Sequence, residues 1–118
     1  MTPLVFAADP VRCDRVLCAR WHMSAAGARR EGWAVLRLDT LTVTACPSCR
    51  RTQADTQHAH EALDLGARCL GATRPGLVFD GAVYLAALTT SDGVQHTALN
   101  ACRWRAVEGA LLAARGAR

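Results

Sequence analysis

The chain has 118 residues, 51% of them hydrophobic, and 14 basic side chains against 10 acidic ones give it a formal charge of +4. That length suits one small domain, or a stapled module joined to a second small unit. The longest apolar run, GLVFDGAVYLAAL, is interrupted by Asp80 and falls short of a membrane span.

Many of the hydrophobic residues are Ala, which buries little area, so a staple would help a chain of this size. Every basic residue is Arg, with no Lys and no Ile, which reads as the codon bias of a GC-rich genome. The positive balance is compatible with phosphate contact without establishing it. The opening MTPLVFAADP has neither the basic leader nor the long apolar core of a secretion signal. A cytoplasmic, reducing location is therefore expected, where paired thiols hold metal more often than they form disulfides.

In chain order, Leu4-Val5-Phe6 is expected as a short leading strand, and Asp9 and Pro10 stand at N-cap and first-turn positions of a helix. Ser24 to Glu31, SAAGARRE, is expected as a short helix capped by Ser24 and stopped by Gly32. Trp33, Leu36 and Leu38 are followed by Leu41, Val43 and Ala45, and the apolar parity switches across Asp39-Thr40. That switch predicts a hairpin with strands over 33–38 and 41–46. Thr52 and Asp55 resemble a capping box that opens a helix to about Leu65, with Gly66 beyond it. GATRPG (71–76) reads as a loop and a domain boundary. Residues 77–90 are strand-like, with FDG as a turn or bulge; SDG (91–93) is a turn and 94–99 a return strand. Asn100 then caps a final helix in which Trp104, Val107, Leu111 and Ala114 share the apolar face.

The thiols carry the chemistry. Four thiolates can surround one zinc ion tetrahedrally, presented on two tight turns held by strands. CPSC (Cys46 to Cys49) has the two-residue spacing this needs, with Pro47 bending the turn, whereas CDRVLC (Cys13 to Cys18) is two residues looser. The metal set expected is Cys13, Cys18, Cys46 and Cys49. His22 is the alternative ligand: were residues 10–23 helical, Cys18 and His22 would share a face and Cys13 would be left in the core. The alternative on the same helix is that Cys13 and Cys18 are plain buried thiols, with only CPSC notable. A redox role for CPSC would need a thioredoxin-like βαβ setting that the sequence lacks. A structural zinc site has an apparent binding free energy of about 10–16 kcal/mol, comparable with the whole net stability of a domain at about 5–15 kcal/mol. The first half is expected to unfold without metal.

The run CDRVLC…AGARREGWAVL…ACPSCRR resembles the small zinc-ribbon-like modules of actinobacteria and their phages, which carry a CD-x3-C knuckle, an Ala-rich helix ending in GW, a hairpin and a closing CP-x-C or CP-x-H. The resemblance covers about residues 11–51 and implies a zinc-binding fold. Modules of this type have no single activity to carry over, and the hairpin here is longer.

His58 and His60 lie about 200° apart on a helix, so a solvated face is their plain reading; a second metal site with Cys69, His96 or Cys102 stays open. Cys69 and Cys102 are expected as small buried hydrophobes. GATRPG lacks the Gly-Lys-Ser/Thr ending of a phosphate-binding loop, and neither a Ser nucleophile elbow nor a His-Glu-x-x-His run is present. The doublets Arg29-Arg30 and Arg50-Arg51 adjoin the module and are the candidate nucleic-acid contacts.

The architecture expected is α+β: a zinc-ribbon-like module over 1–51, a connecting helix and loop over 52–76, and a β-hairpin with C-terminal helix over 77–118, packed together. The function expected is a zinc-stabilised, non-enzymatic regulator or adaptor acting on nucleic acid or a nucleic-acid-handling complex. The alternatives are a phage-type protein-interaction module or host-protein inhibitor, and a small metal-dependent enzyme with a site around His58, His60, Asp80 and His96.

Overall fold

The computed structural model describes residues 9–15 and 17–116, so the leading strand expected at Leu4-Val5-Phe6 lies outside the described residues. Asp9 and Pro10 do not open a helix. Strand β1 (Val11–Arg12) pairs antiparallel with β2 (Trp21–His22), Val11 opposite His22 and Arg12 opposite Trp21. Val11 and Cys13 are buried and Arg12 between them is exposed, a period of two that only a strand satisfies. Cys13 N–H donates to the Arg20 carbonyl at 3.0 Å, carrying the ladder to the tip of the turn, where Leu17 takes a left-handed backbone (φ 67°).

Helix α1 (Ala25–Arg30) begins where expected: the Ser24 hydroxyl accepts from Gly27 N–H at 3.1 Å. It ends at Gly32, whose φ of +94° suits a residue with no Cβ. The expected hairpin follows as β3 (Ala34–Leu38) and β4 (Leu41–Ala45), in register from Leu38 opposite Leu41 to Ala34 opposite Ala45. A single helical turn, α2 (Pro47–Arg50), carries the second cysteine pair, and α3 spans Ala54–Cys69.

Two expectations about α3 are corrected. The capping box does not form: Gln53 occupies the N-cap position, the Thr52 hydroxyl donates back to the Cys49 carbonyl at 2.7 Å, and Asp55 is buried elsewhere. Nor does Gly66 stop the helix, which runs on to Cys69. A Cβ at Gly66 would lie 2.6 Å from both methyl carbons of the fully buried Leu111, so this glycine marks a close helix crossing.

GATRPG is not a loop but largely the first part of β5 (Thr73–Phe79). Pro75 is tolerated because β5 is an edge strand, with a register shift between Thr73 and Gly76 and Arg74 at φ 53°. Strands β6 (Tyr84–Thr89) and β7 (Gln95–Asn100) complete a three-stranded antiparallel sheet in the order β5-β6-β7. Residues 77–90 are therefore two strands: Asp80 turns the chain, its Oδ1 accepting from Ala82 and Val83 N–H at 2.8 and 2.9 Å. Helix α4 (Arg103–Gly116) follows Asn100, whose side-chain oxygen accepts from Cys102 N–H at 2.9 Å. Trp104, Val107, Leu111 and Ala114 are all buried, so Trp104 packs inward rather than presenting a partner surface.

The architecture is α+β, and its apolar side chains form two clusters. The larger joins Leu36, Leu38 and Val43 of the hairpin to Leu63 of α3, Leu77 and Leu88 of the sheet, and Trp104 and Leu111 of α4. The smaller holds Val11, Cys13, Ala25, Ala28, Trp33, Val35 and Cys46. The hairpin serves both, one face to each.

Candidate metal centre

Because side chains alternate along a strand, Val35, Thr44 and Cys46 turn to the smaller cluster while Leu36, Val43 and Ala45 turn to the larger. Cys46 thus leaves β4 already pointing at the first knuckle, and α2 brings Cys49 round behind it. The first knuckle is fastened to β4 by Asp14: its N–H donates to the Thr44 carbonyl at 3.1 Å and its carboxylate accepts from Thr44 N–H at 2.7 Å. The buried Thr44 hydroxyl donates to the Arg12 carbonyl as well.

The result is a group of four sulfurs, from Cys13, Cys18, Cys46 and Cys49, all within 4.8 Å of one another. Tetrahedral zinc with sulfur at about 2.3 Å requires sulfur–sulfur edges of about 3.8 Å. The Cys18–Cys46 edge is 3.8 Å, and all of the cysteines are free thiols. The donor set therefore fits a metal site of zinc type. Cys46 N–H points at the Cys13 sulfur at 3.4 Å, a donor suited to a thiolate.

Burial, reinforced by the neighbouring sulfurs, pushes the Cys49 thiol up, and burial also raises Cys13. The backbone N–H of Arg20 draws Cys18 down to about 7. Four thiols in one small volume resist losing their protons together, and a bound dication reverses that by holding each as thiolate.

His22 stands outside this group. Its Nδ1 accepts from Ser24 N–H at 3.0 Å and its Nε2 meets the Glu31 carboxylate, so its ring belongs to the start and end of α1. Among the described residues the cysteines are the only group of three or more metal-capable side chains close enough to share an ion. His58 is buried edge-on against Trp104 with its Nδ1 unpartnered, His60 is half-buried, and Asp80 lies at a hairpin tip. Cys69 is exposed, and the half-buried Cys102 sulfur accepts from Arg50 at 3.2 Å.

The arginine doublets are split by the fold. Arg29 donates to the Val35 carbonyl at 2.8 Å and lies 3.6 Å from Glu108, and Arg50 donates to the Gly32 carbonyl at 2.7 Å. Arg30 and Arg51 are exposed. Arg29 and Arg50 also line, with Arg105, a hollow of about 690 Å³ between the hairpin and the start of α4. A second hollow of about 430 Å³, lined by Arg51 and Arg103, shares Gly32, Arg50, Ala101 and Cys102 with the first.

A polar node escaped the sequence reading. Asp55, 2% exposed, accepts from Arg103 Nη1 at 2.7 Å and from the Trp104 indole at 3.0 Å, while Arg103 also donates to the Tyr84 hydroxyl at 2.8 Å. The available signal was the Arg-Trp pair opening the last helix, two donors in need of an acid. Among the described residues no helix is long and apolar enough to cross a membrane. No family model matches the chain, and neither a curated protein nor a solved structure matches it.

Proposed function

We propose that the chain is a cytoplasmic, zinc-ribbon-like, non-enzymatic binding protein that acts as a regulator or adaptor on nucleic acid or on a complex that handles it. The observation that carries this reading is the arginine-lined cleft abutting the sulfur cluster. Arg50 and Arg51 follow the ligand Cys49 directly, so a metal that fixes α2 fixes them too. Across the cleft stand Arg103 and Arg105 of α4. Of the three acids lining it, Asp55 pairs with Arg103, Glu108 faces Arg29 and Glu31 meets His22, against five arginines, leaving a positive balance suited to phosphate.

The test is nucleic-acid binding by the zinc-loaded protein, measured by fluorescence anisotropy over a salt series. Affinity should fall steeply with salt, and Arg51→Ala and Arg105→Ala should each reduce the log–log slope by about one. Binding absent at low salt refutes the reading. One feature favours the runner-up, a protein-interaction module. Val78, Leu85 and Leu99 are cross-strand neighbours in one row and are 61%, 38% and 67% exposed. Salt-insensitive capture of a protein, abolished by Leu99→Asp, would select that role.

A further inference from the structure

The chain has three tryptophans, and only one faces solvent: Trp33 and Trp104 are 8% and 5% exposed, Trp21 64%. Trp21 lies on the outer face of the β1–β2 pair, directly opposite the exposed Arg12. On the inner face of the same pair, Val11 belongs to the cluster that contains Cys13 and Cys46. The indole thus rides on a backbone anchored by the metal centre. Residues opposite one another on antiparallel strands carry their Cβ atoms about 4.5–5.5 Å apart, which puts the Arg12 and Trp21 side chains within reach of one ligand. Arg20 is exposed next to Trp21, and Arg12 and Arg20 make no ion pair among the described residues. The acids of this module are engaged elsewhere: Asp9 with Arg37, Asp14 with Thr44, Glu31 with His22 and Asp39 with Arg115.

We infer that Trp21 and Arg12 form a stacking platform for an unpaired base of single-stranded nucleic acid, with Arg20 meeting the adjoining phosphates. The ligand needs a flat π-face and negative charge within one nucleotide of each other, the chemistry single strands offer and duplexes conceal. A protein partner fits less well. The uncovered apolar side chains of this module are Leu17, Trp21 and Met23, at 101%, 64% and 66% exposure. With Arg12 and Arg20 set among them, the patch lacks the charge-depleted centre that a protein interface buries.

This inference rests on the nucleic-acid reading above and narrows it, and the test separates the two. Zinc-loaded protein is titrated with short oligothymidylate, oligouridylate and a DNA hairpin duplex while tryptophan emission and anisotropy are followed. Single strands should quench the emission and bind more tightly than duplex. Trp21→Ala should weaken single-strand binding by roughly 5- to 150-fold, Trp21→Phe should restore most of it, and both variants should keep the wild-type zinc content. Equal binding of single strand and duplex, or unchanged affinity in Trp21→Ala, overturns the platform while the broader reading stands. Binding of no nucleic acid overturns both. Binding of polyglutamate in place of nucleic acid reassigns these arginines to an acidic protein and overturns both as well.

Discussion

Removing the metal should unfold the surroundings of the four sulfurs and leave the larger core standing. The large side chains of the smaller cluster are Val11, Trp33 and Val35. At about 1.5–3 kcal/mol each their burial contributes roughly 5–9 kcal/mol, less than the ~10–16 kcal/mol apparent binding free energy of a structural zinc. The larger cluster has Leu, Val and Trp side chains from the hairpin, α3, the sheet and α4, with no cysteine among its buried members. Hydrogen exchange with and without chelator reads the difference by position. The amides of Cys13, Gly27, Thr44 and Cys46, bonded to Arg20, Ser24, Asp14 and the Cys13 sulfur, should lose protection. Those of α3, α4 and β6 should keep most of theirs, and Cys46→Ser should reproduce the chelated pattern. Unchanged protection at the four named amides would refute the argument, because burial alone would then suffice to hold the module.

Asp55→Ala leaves the buried Trp104 indole N–H without its acceptor and the part-exposed Arg103 with Tyr84 alone, so denaturant unfolding should show a loss of about 1–3 kcal/mol. Adding Arg103→Met should recover part of it, and a loss below ~1 kcal/mol would show that the node contributes little. Gly66→Ala should lower Tm, because crowding against Leu111, typically ~1–3 kcal/mol, outweighs a helix-propensity gain of about 1 kcal/mol; a raised Tm would mean that Leu111 can withdraw. Burial pushes the His58 pKa down, with Arg15 adding to the shift and Asp14, Asp55 and Glu61 opposing it. The unfolded chain therefore takes up that proton more readily, and the stability tied to neutral His58 is present above about pH 6.5 and lost as pH falls through the folded value. Acidification should thus destabilise the wild type more than His58→Gln, and parallel pH profiles would count against it.

What the sequence made legible was local. The parity switch at Asp39-Thr40, the Ser24 cap and the Cys-Pro-Ser-Cys turn each depend on neighbours a few residues away, and each is present in the fold. The misreadings share a different cause. Asp9-Pro10 carries a helix-start signal, but the alternation of Val11 and Cys13 against β4 decides the conformation, and that alternation spans too few residues to stand out. Gly66 looked like a stop because a glycine's close packing against Leu111 is written in a helix 45 residues away. Asp55 satisfied a capping pattern at short range while its partners, Arg103 and Trp104, lie on α4. Cys13 and Cys18, by contrast, point by their spacing to a knuckle that pairs with Cys46 and Cys49, and the structure brings the four sulfurs together.

The hairpin is the reason a metal held by the four sulfurs would influence a surface beyond its own ligands. A strand's side chains cannot turn independently of its backbone, so β3 and β4 act as a plate with the sulfur cluster on one side and the helix–sheet core on the other. Anchoring the plate to the larger core fixes Cys46, and Cys46 and Cys49 together fix α2, at whose end Arg50 stands. Arg50 then reaches from the Gly32 carbonyl on one wall of the cleft to the Cys102 sulfur on the other. Loss of a metal bound there would free α2 from Cys13 and Cys18 but leave Cys102 and α4 in place, so the cleft would lose one wall while keeping the other. On the proposed reading, such a charged surface would depend on metal for its geometry alone, because its arginines remain in the chain whether or not zinc is bound.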